Sequence, residues 1–474
     1  MSGLGGQSQI LLQRPGEPAV VISGTSYAPA GTPAEATSGD LTAHRATTVP
    51  STVRVLDHAW RNHGSGRIEW AQLLAPAIGY AEDGFSVGRF RHLVWQRHGD
   101  DLAADSVTRR LFLTSDGGVP GEGEMFRQPV LAATLRRLAE HGADDFYQGQ
   151  IADGIAGDMA ANGGWITRDD LTNFPQPEEL APLRGAYRDM EVATLPPPGG
   201  GWVVLQILNV LEQTTAHELQ AGTPSRVLRL AEALRVGHKE RRDDPVTDLV
   251  DYDEHVRPKI DKATAIQLLR DERQGRGETT HFSVADGDGM VVVVTASINA
   301  YFGARAASPG LGFLYNDYMH EFEVGDPDHP FALRANAMPY SSMSPTILSR
   351  DGVPVLGLGS PGSARIISAV AQVTQLWSDT DIGIEAAVAA PRVHVVPNEA
   401  VYLEAQPGAS VLDSLSAYGF QLEEPSADLM IEGRNAYFGG VHAVALERGV
   451  WTGAADPRRD GVVIRRTVGA RLKL

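Results

Sequence analysis

Two short apolar runs, Gln9-Ile-Leu-Leu-Gln13 and Ala19-Val-Val-Ile-Ser23, flank Pro15-Gly16 and predict a hairpin. From about residue 50 to 157 the period lengthens. Val53, Leu56 and Trp60, then Leu131, Leu135 and Leu138, recur at helical spacing. Thr167-Arg-Asp-Asp170 is a capping-box opening before Leu171. After a sharp turn at Pro196-Pro-Pro-Gly-Gly-Gly201, the residues Val204, Ile207, Leu208 and Leu211 line one helix face. Arg226 to Arg242 predicts a second helix, closed by Asp243-Asp244-Pro245. Asp271-Glu-Arg-Gln-Gly-Arg-Gly-Glu278 is charged and glycine-bearing, which predicts an exposed, cleavable linker. Beyond it the period shortens to two. Thr279–Ala285 and Met290–Ser297, joined through Asp286-Gly-Asp-Gly289, predict a hairpin. Further strands are expected near 353–358 and 441–446, and helices at 364–377 and 410–418. The pattern is helices over sheets, with a junction at 278/279.

Composition narrows the function. In 474 residues, 42% hydrophobic, there is material for one large core or two ordinary ones. Acids outnumber Lys and Arg 59 to 41, which opposes general attraction to nucleic acid or anionic lipid. Cysteine is absent, so disulfides, thiolate metal sites and Cys nucleophiles are excluded. No apolar run reaches the roughly 20 residues of a membrane span, and Met1-Ser-Gly-Leu-Gly-Gly has no signal-peptide character. A cytoplasmic protein with a small-molecule substrate is the expectation, without a nucleic-acid partner or membrane span.

Common catalytic motifs fail. There is no phosphate-binding G-x-x-x-x-G-K-[ST] and no H-E-x-x-H, and Gly24-Thr-Ser-Tyr-Ala28 falls one residue short of a nucleophile elbow. What stands out is Glu278-Thr279-Thr-His-Phe-Ser-Val284, a threonine opening a strand behind a soft linker. Cleavage before Thr279 would free an α-amine of pKa about 7.7–8, able to take the proton from that residue's own hydroxyl. One residue then supplies nucleophile and base.

Downstream, Val294-Thr-Ala-Ser297-Ile-Asn299, Pro339-Tyr-Ser341-Ser342-Met-Ser-Pro345, Gly359-Ser-Pro-Gly362 with Arg365, and Ala455-Asp-Pro-Arg458 follow in order. Upstream stand Phe146-Tyr147, Gly163-Gly164, Pro196-Pro-Pro-Gly-Gly and Gln206-Ile-Leu-Asn209. Together they resemble the γ-glutamyltransferase family of N-terminal-nucleophile hydrolases over nearly the whole chain.

The resemblance implies an α+β fold, an αββα sandwich, cut by itself between Glu278 and Thr279 into a large chain, 1–278, and a small chain, 279–474. It implies Thr279 as nucleophile, supported by Ser297 where the family usually has threonine. Backbone N–H groups of Gly362 and Ser363 would form the oxyanion hole. No cofactor or metal is expected. Asn299, Tyr318 (at a Gln/Glu position) and Glu321 (at an Asp position) would meet a substrate amino group, and Ser341 and Ser342 its carboxylate. The family's carboxylate-binding arginine is missing, because Thr25 stands in its place. A short 323–337 segment predicts an open pocket. By the resemblance a helix pair would precede the glycine-rich start; its absence predicts an incompletely covered sheet, and a chain whose solubility and processing gain from an upstream extension.

Three readings follow within the enzyme class. One is an amide or related acyl hydrolase of an amino-acid-derived substrate, shifted away from γ-glutamyl. Another is a true γ-glutamyl hydrolase or transferase. The third is a carbon–carbon bond hydrolase like the relatives that make 4-alkylproline precursors of lincomycin-type or pyrrolobenzodiazepine metabolites. A non-catalytic binding relative is the reading from another class.

Overall fold

A computed structural model describes residues 2–246, 252–262, 279–396 and 400–465; the linker 271–278, Glu278 included, lies outside them. In chain order the strands of its two central sheets are β1 (Gln7–Gln13), β2 (Val20–Ser23), β3 (Glu178–Leu180), β4 (Leu183–Tyr187), β5 (Met190–Thr194), β6 (Thr280–Ala285), β7 (Val291–Ser297), β8 (Thr346–Arg350), β9 (Val353–Gly359), β10 (His442–Glu447) and β11 (Val450–Ala455). One sheet runs β3-β2-β1-β7-β6 and the other β11-β10-β9-β8-β5-β4, with antiparallel neighbours in both.

The expected hairpins are present. β1 pairs with β2 and also with β7, Gln7 opposite Ser297 and Gln13 opposite Val291. β1 is therefore central, and all seven of its residues are buried. Leu11, Val21, Val291 and Val293 of the first sheet pack with Ala193 and Ile347 of the second, forming the layer between the sheets. Burying both faces of a sheet requires helices outside it. On the first sheet, Val55 of α1 (Thr52–His63) packs on Ile10, Ile22 and Val294. On the second lie α2 (Gly201–Leu211), α3 (Pro224–Asp243) and α4 (Arg365–Asp379). The result is the four-layer αββα order of an N-terminal-nucleophile hydrolase.

α2 is apolar nearly all round, as a helix packed on every side must be. Its first residue explains the glycine run: a Cβ on Gly201 would stand 2.3 Å from the Leu195 carbonyl oxygen. Cover is thinner at the β6 edge, where Phe282 and Val284 are 46% and 50% exposed. No helix among the described residues is long and apolar enough to cross a membrane.

The Ala455-Asp-Pro-Arg458 motif is a buried charge network. Asp456 accepts from Arg392 Nη2 at 2.6 Å, from the Val441 amide at 2.7 Å and from Arg458 Nη1 at 3.0 Å. Arg458 also donates through Nε to Glu404 at 2.8 Å. Burial alone would raise the Asp456 carboxyl, but Arg392 and Arg458 hold it below its ordinary value. Removing Asp456 leaves the buried Arg392 guanidinium without its carboxylate and Arg458 with Glu404 alone. Asp456→Ala should therefore lower unfolding free energy by about 3–5 kcal/mol in urea denaturation, with Asp456→Asn losing less; a change under about 1 kcal/mol would mean the network is solvated and weak.

Candidate active site

β6 and β7 pair through Thr280 with Ala296 and His281 with Thr295. That register sets Thr279, immediately before β6, against Ser297 at the end of β7. The Thr279 hydroxyl donates to Ser297 Oγ at 3.4 Å, with the two residues only 4% and 1% exposed. Ser297 Oγ also accepts from the Asn299 amide at 2.8 Å, and Asn299 holds a left-handed φ of 70°. The Tyr318 phenol lies against Ser297 and Gln7, and burial pushes it well above its ordinary value, so it stays neutral.

His281 has a structural job. Its Nδ1 meets Thr295 Oγ1 and its Nε2 meets Ser283 Oγ, both at 2.9 Å. Burial, with His442 nearby, holds it neutral. The ring presses on the second sheet at Gly359, where a Cβ would lie 2.3 Å from the imidazole. The glycine of the 359–362 motif thus gives the His281 ring its space.

Past Gly359 the chain turns through left-handed Gly362 (φ 128°) and Ser363 (φ 60°), whose carbonyls accept from Arg365 and Ile366 as α4 begins. Ser363 shares a narrow crevice with Thr279, Asn299, Tyr318, Glu321, Ser341 and Ser342. Its free volume is about 10 Å³, near the minimum that holds one water. The side chains singled out in the sequence therefore converge. Gly362 does not line the crevice but directly precedes Ser363, which does.

Asn299, Glu321, Tyr340 and Ser342 also wall a larger cleft of about 680 Å³, whose lining includes Arg241, Phe331 and His394 as well. His329 and Phe331 come from the short 323–337 segment. Burial pushes Glu321 up to about 7 against the pull of Arg241, and burial raises Asp317 as well. Asp317 accepts from the Ala300 amide at 2.9 Å. A separate cavity of about 470 Å³ has Thr279 and Thr280 in its wall, with Phe85, Phe90, Trp95 and Phe126 among its lining.

Sequence reasoning missed Arg241. The run His238-Lys-Glu-Arg-Arg242 reads as the solvated end of a helix, yet Arg241 is 7% exposed and donates to Ser342 Oγ at 2.7 Å. Tyr340 was noted only as part of a motif. Arg241 lies over its ring at 4.1 Å. Thr25 lies outside this group: it accepts from Gln9 Nε2 at 2.9 Å and lines a different crevice with Pro196–Gly199.

A family model described as gamma-glutamyltranspeptidase matches residues 1–465. The chain belongs to the gamma-glutamyltranspeptidase family. It is 34% identical over 380 residues to a glutathione hydrolase proenzyme of Pseudomonas sp. (strain A14), covering 74% of this chain and 65% of that protein, so the match spans just under two thirds of the relative. It is 33% identical over 414 residues to the acylase ACY 1 proenzyme of Pseudomonas sp. (strain SE83), covering 84% of this chain and 72% of that one. The cephalosporin acylase structure from Bacillus halodurans superposes with a TM-score of 0.83 at 25% identity, covering 98% of this chain and 87% of that one. Family membership accounts for the αββα layering.

The buried acid gives a pH test. Glu321 has a folded pKa of about 7 against an ordinary 4.5, so its contribution to stability is full below 4.5 and is lost as pH rises through 7. Glu321→Gln should therefore raise the melting temperature relative to wild type near about pH 8, with the gain vanishing near about pH 4. An equal shift at both pH values, or none at either, would mean Glu321 is not held against ionisation.

Proposed function

We propose that this chain is an autoprocessing N-terminal threonine hydrolase that cleaves an amide or related acyl bond of an amino-acid-derived substrate, with specificity shifted from γ-glutamyl. The buried Thr279–Ser297 hydroxyl pair at the head of β6 carries this reading. In the uncut chain, Thr279 Oγ attacks the Glu278 carbonyl and its proton passes to the Thr279 nitrogen, which leaves as the free α-amine; water then hydrolyses the ester, releasing the Glu278 carboxylate and the Thr279 hydroxyl. In the cut enzyme that amine takes the hydroxyl proton as Oγ attacks the substrate carbonyl. The Gly362 and Ser363 amides stabilise the oxyanion, an effect worth roughly 3–4 kcal/mol per donor. The proton passes to the leaving amine, and water hydrolyses the acyl-Thr279 ester. Ser297 holds the nucleophile's hydroxyl throughout.

The shift in specificity rests on three observations. Tyr318 packs on Ser297 in place of a slimmer amide or acid. The crevice beside Thr279 is tight, and Thr25 stands outside it. The aromatic cavity at Thr279 suits a bulky ring on the donor. A γ-glutamyl reading draws on Asn299, Glu321, Ser341 and Ser342 lining one crevice.

Wild type should separate into two chains on a denaturing gel, and Thr279→Ala should remain single and inactive. Normal cutting of that variant would remove Thr279 as nucleophile, and an uncut wild type would favour a non-catalytic relative. In the cut protein, kcat/KM for γ-glutamyl-p-nitroanilide should fall about one to two decades below an Arg-bearing relative assayed alongside. Equal efficiency would return the enzyme to the plain γ-glutamyl class.

A further inference from the structure

We infer that Arg241 is the anion-reading residue of this enzyme, binding a carboxylate on the acyl group from the large cleft and replacing the guanidinium absent at position 25. The inference rests on the acyl-hydrolase reading above and names the group its substrate must carry. Arg241 stands near the C-terminal end of α3, 7% exposed, in the wall of the 680 Å³ cleft. A guanidinium stays charged in a protein, so burying one requires acceptors for its five N–H donors. The acceptors found are few. Nη2 donates to Ser342 Oγ at 2.7 Å, while Nε is buried with no hydrogen-bond partner among the described residues. Among the described residues no carboxylate forms an ion pair with it; Glu321 acts on it only through its field.

Arg241 is nevertheless held in place. Its guanidinium lies 4.1 Å from the Tyr340 ring centre, and the Tyr340 hydroxyl donates to the Arg241 carbonyl at 3.3 Å. A stacked, oriented and under-satisfied fork is what a bidentate carboxylate fills. Ser342 connects it to the chemistry, because this serine takes the Arg241 hydrogen bond and also walls the Thr279 crevice. An acyl chain entering past Ser342 would leave its anionic end in the roomy cleft and bring its carbonyl to Thr279. Arg241 approaches from α3, whereas Thr25 belongs to the segment after β2, so the anion lies in the cleft rather than in the Pro196–Gly199 crevice.

Glutarate and its neutral diamide, glutaramide, test this by calorimetric titration of the full chain, both as wild type and as uncut Thr279→Ala. Glutarate should bind more tightly than glutaramide. Arg241→Met should weaken glutarate roughly ten- to hundredfold with little effect on glutaramide, and Arg241→Lys should fall between. Equal binding of the two probes by wild type, unchanged glutarate binding by Arg241→Met, or equal losses for both probes would overturn the assignment. Should Arg241→Met fail to fold, Arg241→Lys and Ser342→Ala carry the same comparison. A wild type that stays uncut, or a Thr279→Ala that cuts normally, with glutarate binding intact would overturn Thr279 and leave Arg241 standing.

Discussion

The hydrogen-bond register between Thr280–Ala285 and Val291–Ser297 is what sets the Thr279 hydroxyl against Ser297. A slip of one residue would turn every side chain on β6 to the other face. Thr279 would then lose Ser297, and His281 would leave the space at Gly359. That register is locked from several sides. β1 pairs along the whole of β7, the His281 ring ties β6 to β7 through Thr295, and Ser283 Oγ donates to the His442 carbonyl of the second sheet at 3.0 Å. A nucleophile must sit still relative to its supporting hydroxyl and its oxyanion donors, and two sheets pressed together provide that rigidity.

The interior charges divide by how fully they are answered. Around Asp456, every carboxylate is met by a guanidinium, and the network binds the segment after β11 to Val388, Arg392 and Glu404. Around Arg241, Glu321 and Asp317 the balance is left open: among the described residues no carboxylate forms an ion pair with the guanidinium, and two acids are raised by burial. Buried groups left short of partners are costly for folding, and a substrate bearing matching charges would relieve that cost.

Much of this architecture was legible from periodicity. The two hairpins, the apolar helix after the glycine run, and α3 and α4 lie within a few residues of where the pattern puts them, because their period reflects which face is buried. The candidate residues came from rare motifs and from the positions the resemblance implies, and the structure gathers Thr279, Asn299, Tyr318, Glu321, Ser341, Ser342 and Ser363 into one crevice. What local pattern could not carry was long-range placement. The position of β1 between β2 and β7 joins segments far apart in the chain. Arg241 reads as one more charge at a helix end until Tyr340 and Ser342, distant in the chain, pack against it. Tyr318 reads as a wall beside the substrate amino group, yet its hydroxyl turns to Ser297, a contact set by the pairing of β1 with β7.

The central claim is that Thr279 becomes an N-terminal nucleophile, and the mass of the chain tests it most directly. Intact-mass measurement of the purified protein, with N-terminal sequencing of each species, should find two chains, the smaller beginning at Thr279. A single uncut chain, or a small chain beginning at any other residue, would contradict the account.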